Sequence, residues 1–478
     1  MARATVIRKV AWAIAWDAGL GRHHYLRDVD LAFADDRIRF LGRSYAGAVD
    51  EEIDGRALLV MPGLVNVHSH PTGQPLYKGI REELGNRYLR GTALYDFVGL
   101  FQPDDEARRA ATAYALCELL QSGVTTFADL SMPYDGWLDL LARSGIRAFV
   151  APMYRSAAWR VREGRRLEYE WDESAGRKSF EAALALMAAA ERHPSGRLAG
   201  MLAPAQIDTC TEGLLRDSAE AARASGRPLQ VHAAQTAVEV EEMTRRHDKT
   251  PIQWAHAIGL LGPGTTIGHA VFIDRHPAIR WPTRRDLDIL ASSGSSVAHC
   301  PTVFSRYGHT LRSFGDYRRA GVNIGLGTDT FPHNMIEEIR AAIILGRVAG
   351  ESMESVSTAD AFHAATAGGA RVLMRDDIGR LAPGMKADLV LVDLRHPLMR
   401  PARDPLRSLV YTAAERAVRD VFVDGRQVVR QGRALTLDME EAAALVEDAQ
   451  RRIEAGVPGR DDLGRRAEEV APLSLPLG

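Results

Sequence analysis

The chain has 478 residues, of which 46% are hydrophobic, enough for a large core and for one large domain beside a smaller one. It carries 60 basic and 62 acidic residues, and the formal net charge of −2 gives no electrostatic reason to expect a nucleic-acid or membrane partner. The scattered cysteines Cys117, Cys210 and Cys300 argue against a disulfide framework and favour a reducing cytoplasm. We find no apolar run of the roughly 18 residues that a membrane helix needs.

The first 61 residues predict short β-strands. Runs 6–16 and 29–41 contain alternating apolar residues, and Asp35-Asp36 marks a turn within the second run. The pattern then changes, and a strand-like run followed by a helical stretch recurs eight times. The eight runs are residues 58–70, 123–130, 146–154, 198–204, 228–234, 265–272, 295–301 and 322–329.

Eight strand–helix units in series predict an α/β fold, a (β/α)₈ TIM-type barrel, with an open doubly wound sheet as the alternative. After a helical stretch at 358–374, strands return at 387–394 and 418–429. The simplest packing joins the two β-rich ends into one small β-sandwich domain formed by the N- and C-terminal segments. The predicted domains are therefore the β-sandwich (1–61 plus 376–435), the barrel (62–375) and a C-terminal helical tail (436–478).

Polar residues at strand ends are the candidates for chemistry. His68 and His70 close the first barrel strand, and side chains two residues apart on a strand point the same way. Barrel enzymes place their sites at this end of the strands, and paired neutral imidazoles suit a divalent metal. Two surface histidines would give the same pattern, so this signal alone is weak.

Other predicted barrel strands also end in polar residues within apolar runs: His232 on the fifth, His269 on the sixth, His299 on the seventh and Asp329 on the eighth. A single histidine of this kind is more often a hydrogen-bonded core residue, and a single aspartate is more often a helix cap. Their joint occurrence at strand ends favours a site. His299 is equally compatible with a functional or a structural role.

Several motifs give the chain a resemblance to a known family. Residues 61–70, Met-Pro-Gly-Leu-Val-Asn-Val-His-Ser-His, resemble the opening motif of the amidohydrolase superfamily, in the branch of the cytosine, guanine and adenosylhomocysteine deaminases and the triazine hydrolases. The likeness continues through residues 123–126, 209–211, 298–302, 327–329 and 382–390. It covers nearly the whole chain.

The resemblance implies one divalent metal ion per chain, Zn²⁺ or alternatively Fe²⁺, held by His68, His70, His232 and Asp329. It implies that Asp329 also accepts a proton from the attacking water, that His269 contacts the water or the reacting group, and that His299 supports the same region. The predicted fourth strand has no lysine, which argues against a binuclear site bridged by a modified lysine. The resemblance also suggests a homodimer or higher homo-oligomer.

The chain departs from its branch around the substrate. Deaminases of the branch usually carry His-x-x-Glu on strand five, whereas this chain has His232-Ala233-Ala234-Gln235. An amide cannot shuttle protons at ordinary pH. A histidine usual after strand four is replaced by Ala205, and Val303 and Phe304 stand where relatives carry small polar residues.

We therefore predict hydrolysis of a C–N bond, in an amide, a urea or a related group, of a small and partly apolar molecule. Deamination or dechlorination of an N-heterocycle is the alternative, and a non-enzymatic scaffold is disfavoured because all four ligands are present. The insert at 71–102 is expected to cover the site, and the loop at 154–171 is expected to form another wall. The candidate substrate contacts are Gln235, Tyr77, Arg81 and Phe304, with Lys78 and Glu82 as further possibilities in the insert.

Overall fold

The computed structural model describes residues 4–311 and 314–476, and it is a mixed α/β structure. Its strands are β1 (Ala4–Val10), β2 (Trp12–Asp17), β3 (Arg22–Leu26), β4 (Val29–Ala34), β5 (Arg37–Gly42), β6 (Glu51–Asp54), β7 (Leu58–Pro62), β8 (Leu64–Ser69), β9 (Val124–Ser131), β10 (Arg147–Tyr154), β11 (Ala157–Arg162), β12 (Arg166–Trp171), β13 (Leu198–Gly200), β14 (Ala203–Pro204), β15 (Leu229–Ala233), β16 (Thr265–His269), β17 (Ser296–His299), β18 (Asn323–Leu326), β19 (Leu389–Asp393), β20 (Val418–Val423), β21 (Arg426–Arg430) and β22 (Arg433–Ala434).

Helices follow most of the central strands. They are α1 (Leu94–Leu100), α2 (Asp105–Gln121), α3 (Trp137–Ser144), α4 (Glu173–Glu191), α5 (Glu212–Ser225), α6 (Ala237–His247), α7 (Pro251–Ala257), α8 (Asp286–Ser293), α9 (Pro301–Ser305), α10 (Phe314–Arg319), α11 (Met335–Ala349), α12 (Thr358–Ala364), α13 (Ala367–Val372), α14 (Pro405–Ser408), α15 (Met439–Ala455) and α16 (Ala467–Val470). In the described part of the chain, none of them is long and apolar enough to cross a membrane.

The central strands are parallel and have the arrangement of a TIM-type barrel. One sheet runs β13-β10-β9-β8, with β14 also paired to β10, and the other runs β15-β16-β17-β18. Isolated parallel bridges lie at both seams: Ser69 pairs with Asp329, and Leu202 and Gln206 pair with Leu229 and His232. The carboxyl ends of all these strands therefore face the same side, where residues from distant parts of the sequence meet.

The predicted strand at 58–70 is in fact two strands, β7 and β8, and in this the prediction was wrong. The break lies at Gly63, where a Cβ atom would come within 2.0 Å of the Thr125 side-chain oxygen. The strand on one side of Gly63 pairs with β19 outside the barrel, and the strand on the other side pairs with β9 inside it. A continuous apolar run hid this change of sheet, because both strands are fully buried.

Strands from both ends of the sequence mix in two further sheets. One has the order β5-β4-β1-β6, and the other has the order β22-β21-β20-β19-β7-β2-β3. Ile7 and Leu31 of the first sheet share a buried apolar cluster with Val60 and Leu389 of the second. Burial of these side chains in a shared cluster stabilises this region.

The C-terminal tail is packed onto the barrel. Helix α15 lies against α2 and against the segment 71–102, which follows β8. Its residues Val446 and Ile453 share a buried cluster with Leu76 and Phe97 of that segment. A C-terminal helical tail was predicted, but its attachment to the segment 71–102 was not.

Candidate active site

The histidines at the carboxyl ends of β8 and β15 converge beside Asp329. Nε2 of His70 lies 3.1 Å from Nε2 of His232. One carboxylate oxygen of Asp329 lies 3.4 Å from Nε2 of His70 and 3.7 Å from Nε2 of His68. Only the His70 side chain is appreciably exposed, at 17%. Sequence positions 68, 70, 232 and 329 thus meet in one cluster.

The backbone holds the Asp329 loop against the end of β8. The Asp329 amide donates to the His68 carbonyl at 2.8 Å, and the His70 amide donates to the Asp329 carbonyl at 3.2 Å. The side chain of Asn66 donates to the Thr328 hydroxyl at 2.9 Å and accepts from the Thr328 amide at 3.2 Å. These bonds position Asp329 although it lies beyond the last residue of β18.

The hydrogen bonds of His70 and His232 define where their protons are. Nδ1 of His70 donates to the Leu130 carbonyl at 2.6 Å, and Nδ1 of His232 donates to the Ala205 carbonyl at 2.5 Å. Because a carbonyl oxygen only accepts, each ring carries its proton on Nδ1 and leaves the Nε2 lone pair free. Two lone pairs that face each other at 3.1 Å repel unless a cation lies between them.

His68 has the same arrangement through a side-chain partner. The amide nitrogen of Gln230 donates to the Val67 carbonyl at 3.0 Å, which turns its oxygen toward Nδ1 of His68, where it accepts a hydrogen bond. Nε2 of His68 is buried and has no hydrogen-bond partner among the described residues. Burial lowers the pKa of all three rings, that of His232 to about 3, so they are neutral and able to act as ligands.

The donor set therefore fits a divalent cation. His68, His70 and His232 present unprotonated nitrogens to one another, and those of His68 and His70 also lie near one Asp329 carboxylate oxygen. Each opposite ring nitrogen is held by an oxygen acceptor, as is usual for metal-binding histidines. Nitrogen and carboxylate donors in this number suit Zn²⁺ or a similar ion.

His269 lies beside this cluster, and His299 lies near His269. The His269 ring is edge-on to His68, with ring centroids 4.7 Å apart, and neither of its nitrogens has a partner among the described residues. Its backbone has φ of +84°, an uncommon conformation for a residue other than glycine. His299 is also buried, and burial lowers its pKa to about 3. Neither histidine lines the open cavity described next.

A cavity of about 490 Å³ opens onto the cluster. His70, His232 and Asp329 form part of its wall. The segment 71–102 contributes Tyr77 and Arg81, among other residues, so the expected cover over the site is present. The predicted loop at 154–171 is largely a hairpin of β11 and β12, and it contributes a wall as expected.

The proposed substrate contacts divide between this cavity and a smaller one beside it. Gln235 and Arg81 line both cavities, whereas Phe304 lines only the smaller one. The Phe304 and His269 rings pack edge to face, with their ring centroids 4.8 Å apart. The Tyr77 hydroxyl donates to the Phe101 carbonyl at 3.0 Å, so Tyr77 presents mainly its ring to the cavity.

Sequence reasoning missed residues of the same region. Gln230 lies two residues before His232 on β15 and therefore faces the same side, which could have identified it as a ligand partner. Arg155 and Trp159 also line the cavity. Nothing in the sequence pattern distinguishes these two from the other charged and aromatic residues of the hairpin region.

A parallel barrel that brings neutral imidazoles and a carboxylate together at one end defines a metal-dependent hydrolase. Residues 59–428 match the amidohydrolase family. The chain belongs to this family, and it is an enzyme of the class that hydrolyses C–N bonds other than peptide bonds.

Curated relatives cover most of the chain. The 5-methylthioadenosine/S-adenosylhomocysteine deaminase of Halobacterium salinarum is 31% identical over 85% of this chain and 89% of its own length. The 5'-deoxyadenosine deaminase of Methanosarcina mazei is 27% identical over 94% of this chain and 98% of its own length.

Solved structures share the fold. A zinc-bound adenosine deaminase from Xanthomonas campestris has a TM-score of 0.80 at 22% identity, covering 94% of this chain and 98% of that one. An atrazine chlorohydrolase from Arthrobacter aurescens TC1 in complex with zinc has a TM-score of 0.77 at 23% identity, covering 93% of this chain and 100% of that one. Both likenesses support the barrel architecture.

Proposed function

We propose that His68, His70, His232 and Asp329 hold a single divalent cation, Zn²⁺ in preference to Fe²⁺. The convergence of their free lone pairs supports this ligand set, and the absence of lysine from β13 and β14 supports a mononuclear site. When bound, such an ion supplies a strongly acidified water as the nucleophile near neutral pH.

The chain's own groups then divide the remaining work. Asp329, which lines the cavity, accepts the proton of the attacking water on its carboxylate. His269 polarises the reacting group or stabilises the oxyanion that develops on it, with its unpartnered ring nitrogens as donor and acceptor. His299 supports His269 from the adjacent strand, since β16 and β17 are paired.

We propose that the scissile bond is a C–N bond of an amide, a urea or a related group in a small, partly apolar molecule. The observation that carries this proposal is the set of side chains in the cavity wall. Among the described lining residues, Asp329 is the one carboxylate, and the amide Gln235 occupies the position of the glutamate usual in the deaminases. The described part of the cavity wall therefore offers no second carboxylic acid to protonate a heterocyclic ring nitrogen. Gln235 is suited to hydrogen-bond a substrate carbonyl or amide.

Deamination or dechlorination of an N-heterocycle is the second candidate. The names of the relatives favour it, since the two curated ones described above are deaminases of adenine nucleosides and their derivatives. Under this alternative, His269 would have to protonate the ring or the leaving group in place of a glutamate. The two candidates differ in the product that is released.

A panel assay on the zinc-loaded enzyme separates them. One arm measures ammonia release from adenosine, 5'-deoxyadenosine, S-adenosylhomocysteine, guanine and cytosine. The other measures amine release from N-acyl and N-carbamoyl amines. We expect turnover in the second arm and little in the first. Rapid ammonia release from a nucleobase or nucleoside would contradict the proposed amide hydrolysis and favour the deaminase alternative.

The Gln235→Ala variant adds a test of the role of this residue. If Gln235 only binds and orients, the variant should lose roughly 1–3 kcal/mol of substrate interaction and keep measurable turnover. Loss of a proton shuttle would instead abolish the chemistry. Gln427→Ala, in the sheet away from the cavity, is the matched control.

The remaining features of the molecule are also proposals. We propose that residues 1–61 and 376–435 form one small β-sandwich domain, that 62–375 form a closed (β/α)₈ barrel and that 436–478 form a helical tail. The mixed sheets and the bridges at the barrel seams support this division.

The proposed partners are a small-molecule substrate and a second copy of the chain, in a homodimer or larger assembly that sedimentation analysis would detect. Three free, buried cysteines support the proposed cytoplasmic location.

A further inference from the structure

We propose that the substrate carries an oxyanion, a carboxylate or a phosphate, and that Arg81 and Arg155 bind it. This inference rests on the proposed function, because it takes the cavity beside the ligand cluster as the substrate site. It adds the charge of the substrate, which neither the fold nor the ligand set determines.

Arg81 is a buried cation held only by neutral groups. The residue is 4% exposed. Nη1 donates to the side-chain oxygen of Gln74 at 2.7 Å, Nε donates to the Tyr307 hydroxyl at 3.2 Å, and the guanidinium lies 4.3 Å from the ring centre of Phe97. Within residues 4–311 and 314–476, no carboxylate forms an ion pair with it. Burying a guanidinium without a counter-charge is costly, so a ligand that supplies one is favoured.

Arg155 is a second cation of the cavity wall, and the charge of Asp208 acts on it without forming an ion pair. It directly follows β10, lines the cavity and is half-buried. Burial lowers the pKa of its guanidinium. It too has no ion pair to a carboxylate in the described part of the chain. Arg108 provides a contrast, because it also lines the cavity but pairs with Asp105 at 2.5 Å.

The described residues that line the cavity carry more guanidinium groups than carboxylates. Arg81, Arg155 and Arg108 line it, and Asp329 is the one carboxylate among the described lining residues. Asp329 is already assigned to the cation. Gln235 adds no negative charge at the position where the usual glutamate would repel an anion. A fourth guanidinium, that of Arg306, lies near Arg81. Burial lowers the pKa of Arg306, and the positive charge of Arg81 lowers it further, whereas the negative charges of Glu82 and Glu338 raise it.

The geometry suits a substrate with two ends. The planar guanidinium matches a carboxylate or a phosphate through paired hydrogen bonds. Because Arg81 and Arg155 share one cavity with His70 and Asp329, an anion at the arginines leaves the rest of the molecule to reach the ligand cluster. N-acyl and N-carbamoyl amino acids, or their phosphonate counterparts, have this layout.

Matched ligands test the inference. The ligands are the N-benzoyl, N-acetyl and N-carbamoyl derivatives of glycine, of aminomethylphosphonate and of glycinamide. Ligands with the same N-substituent differ only in the terminal carboxylate, phosphonate or neutral amide. Titration calorimetry on the zinc-loaded enzyme measures their binding, and amine release measures their hydrolysis. We expect at least one anionic ligand to bind tenfold or more tightly than its glycinamide twin, with the carboxylate and phosphonate arms showing which oxyanion is preferred.

Variants assign the effect to the two arginines. Arg155→Gln and Arg81→Gln should each reduce the preference for the anion about tenfold, and Arg81→Lys should restore part of it by keeping the charge. Arg109→Gln, on the exposed side of α2, is the matched control and should leave the preference unchanged. Because Arg155 makes no ion pair in the described chain, its variant remains informative if Arg81→Gln fails to fold.

The outcomes separate this inference from the proposed function. Equal binding of the neutral twins, absence of binding by every anionic ligand, or full anion preference in Arg155→Gln would overturn the inference. Hydrolysis of neutral amides alone would leave the proposed reaction standing and remove the anion from it. Arginine-dependent anion binding without amine release from any ligand would support the inference and count against amide hydrolysis.

Discussion

The side chain of Gln230 accepts a hydrogen bond from Nδ1 of His68 and donates one to the carbonyl of Val67, so it fixes the imidazole from behind. Gln230 and His68 are both fully buried. The second bond decides which end of the amide faces the ring. The free Nε2 lone pair of His68 is therefore a consequence of an amide that does not itself touch the cation site.

Replacement of Gln230 by leucine should weaken metal retention without unfolding the chain. The leucine has a similar volume, but it leaves His68 free to rotate or to change tautomer. Loss of such an outer partner typically reduces metal affinity about 10- to 100-fold. Competition with a chelator measures this, with Gln427→Leu as the control. Unchanged affinity would show that packing alone orients His68.

The purified chain should contain close to one divalent ion. His232→Ala removes one of the two nitrogens that face each other at 3.1 Å, and it should lose most of the metal. Elemental analysis of the wild type and the variant measures both values. Two tightly bound ions per chain would contradict the mononuclear site.

Asp329→Asn should lower turnover by about 10²- to 10⁴-fold while the fold persists. The amide offers an oxygen but cannot accept a proton, and asparagine tolerates the positive φ of +58° found at this position. Steady-state kinetics on metal-loaded protein, beside the exposed control Asp135→Asn, gives the ratio. Near-normal turnover would assign Asp329 to a structural role.

The TIM-type arrangement of strands and the positions of the four proposed ligands could be predicted because they follow simple sequence rules. Repeated strand–helix units indicate the barrel, and the histidine pair at 68 and 70 has the two-residue spacing that places both side chains on one face of a strand. The resemblance to a known family then connected His232 and Asp329 to that pair. Each of these signals lies within a few consecutive residues.

The features that were missed depend on contacts between distant segments. The sheet change at Gly63 depends on how closely Thr125 approaches it, which no local pattern contains. The packing of the Phe304 ring against His269 in the smaller pocket also depends on such contacts, and its expected role as a substrate contact stays a prediction. The direction of a side chain at the end of a strand depends on tertiary packing, which residue type alone does not specify.

Stability should depend on pH through Asp129, a fully buried residue of β9. Burial raises the pKa of its carboxyl group to about 7 from an ordinary 3.8, against hydrogen bonds from Ser131 and Trp137 that lower it. A raised pKa means that the folded chain holds a proton which the unfolded chain has released. The contribution to stability is therefore complete below pH 3.8 and is lost as the pH rises to about 7.

Asp129→Asn isolates this effect. Between pH 4 and pH 7 the free energy of unfolding of the wild type should fall by up to roughly 4 kcal/mol more than that of the variant. Denaturant unfolding at several pH values measures the difference between the two curves. Parallel curves would mean that Asp129 is ionised in the folded chain.

The attachment of α15 to the segment 71–102 should hold this part of the cavity wall in a fixed conformation. The Gln450 amide nitrogen donates to the carbonyls of Leu76 and Lys78, at 2.8 Å each, and these residues flank Tyr77. Gln450→Ala leaves both carbonyls without this donor, at a cost of roughly 1–3 kcal/mol, and the cost should appear as local opening. Hydrogen exchange should rise within 71–102, and KM should rise more than kcat falls.

Arg451→Ala, an exposed change on the same helix, should leave hydrogen exchange and the kinetic constants unchanged. The metal content should stay the same in both variants. Unaltered exchange in Gln450→Ala would show that the apolar contacts of Val446 and Ile453 suffice to hold the segment in place.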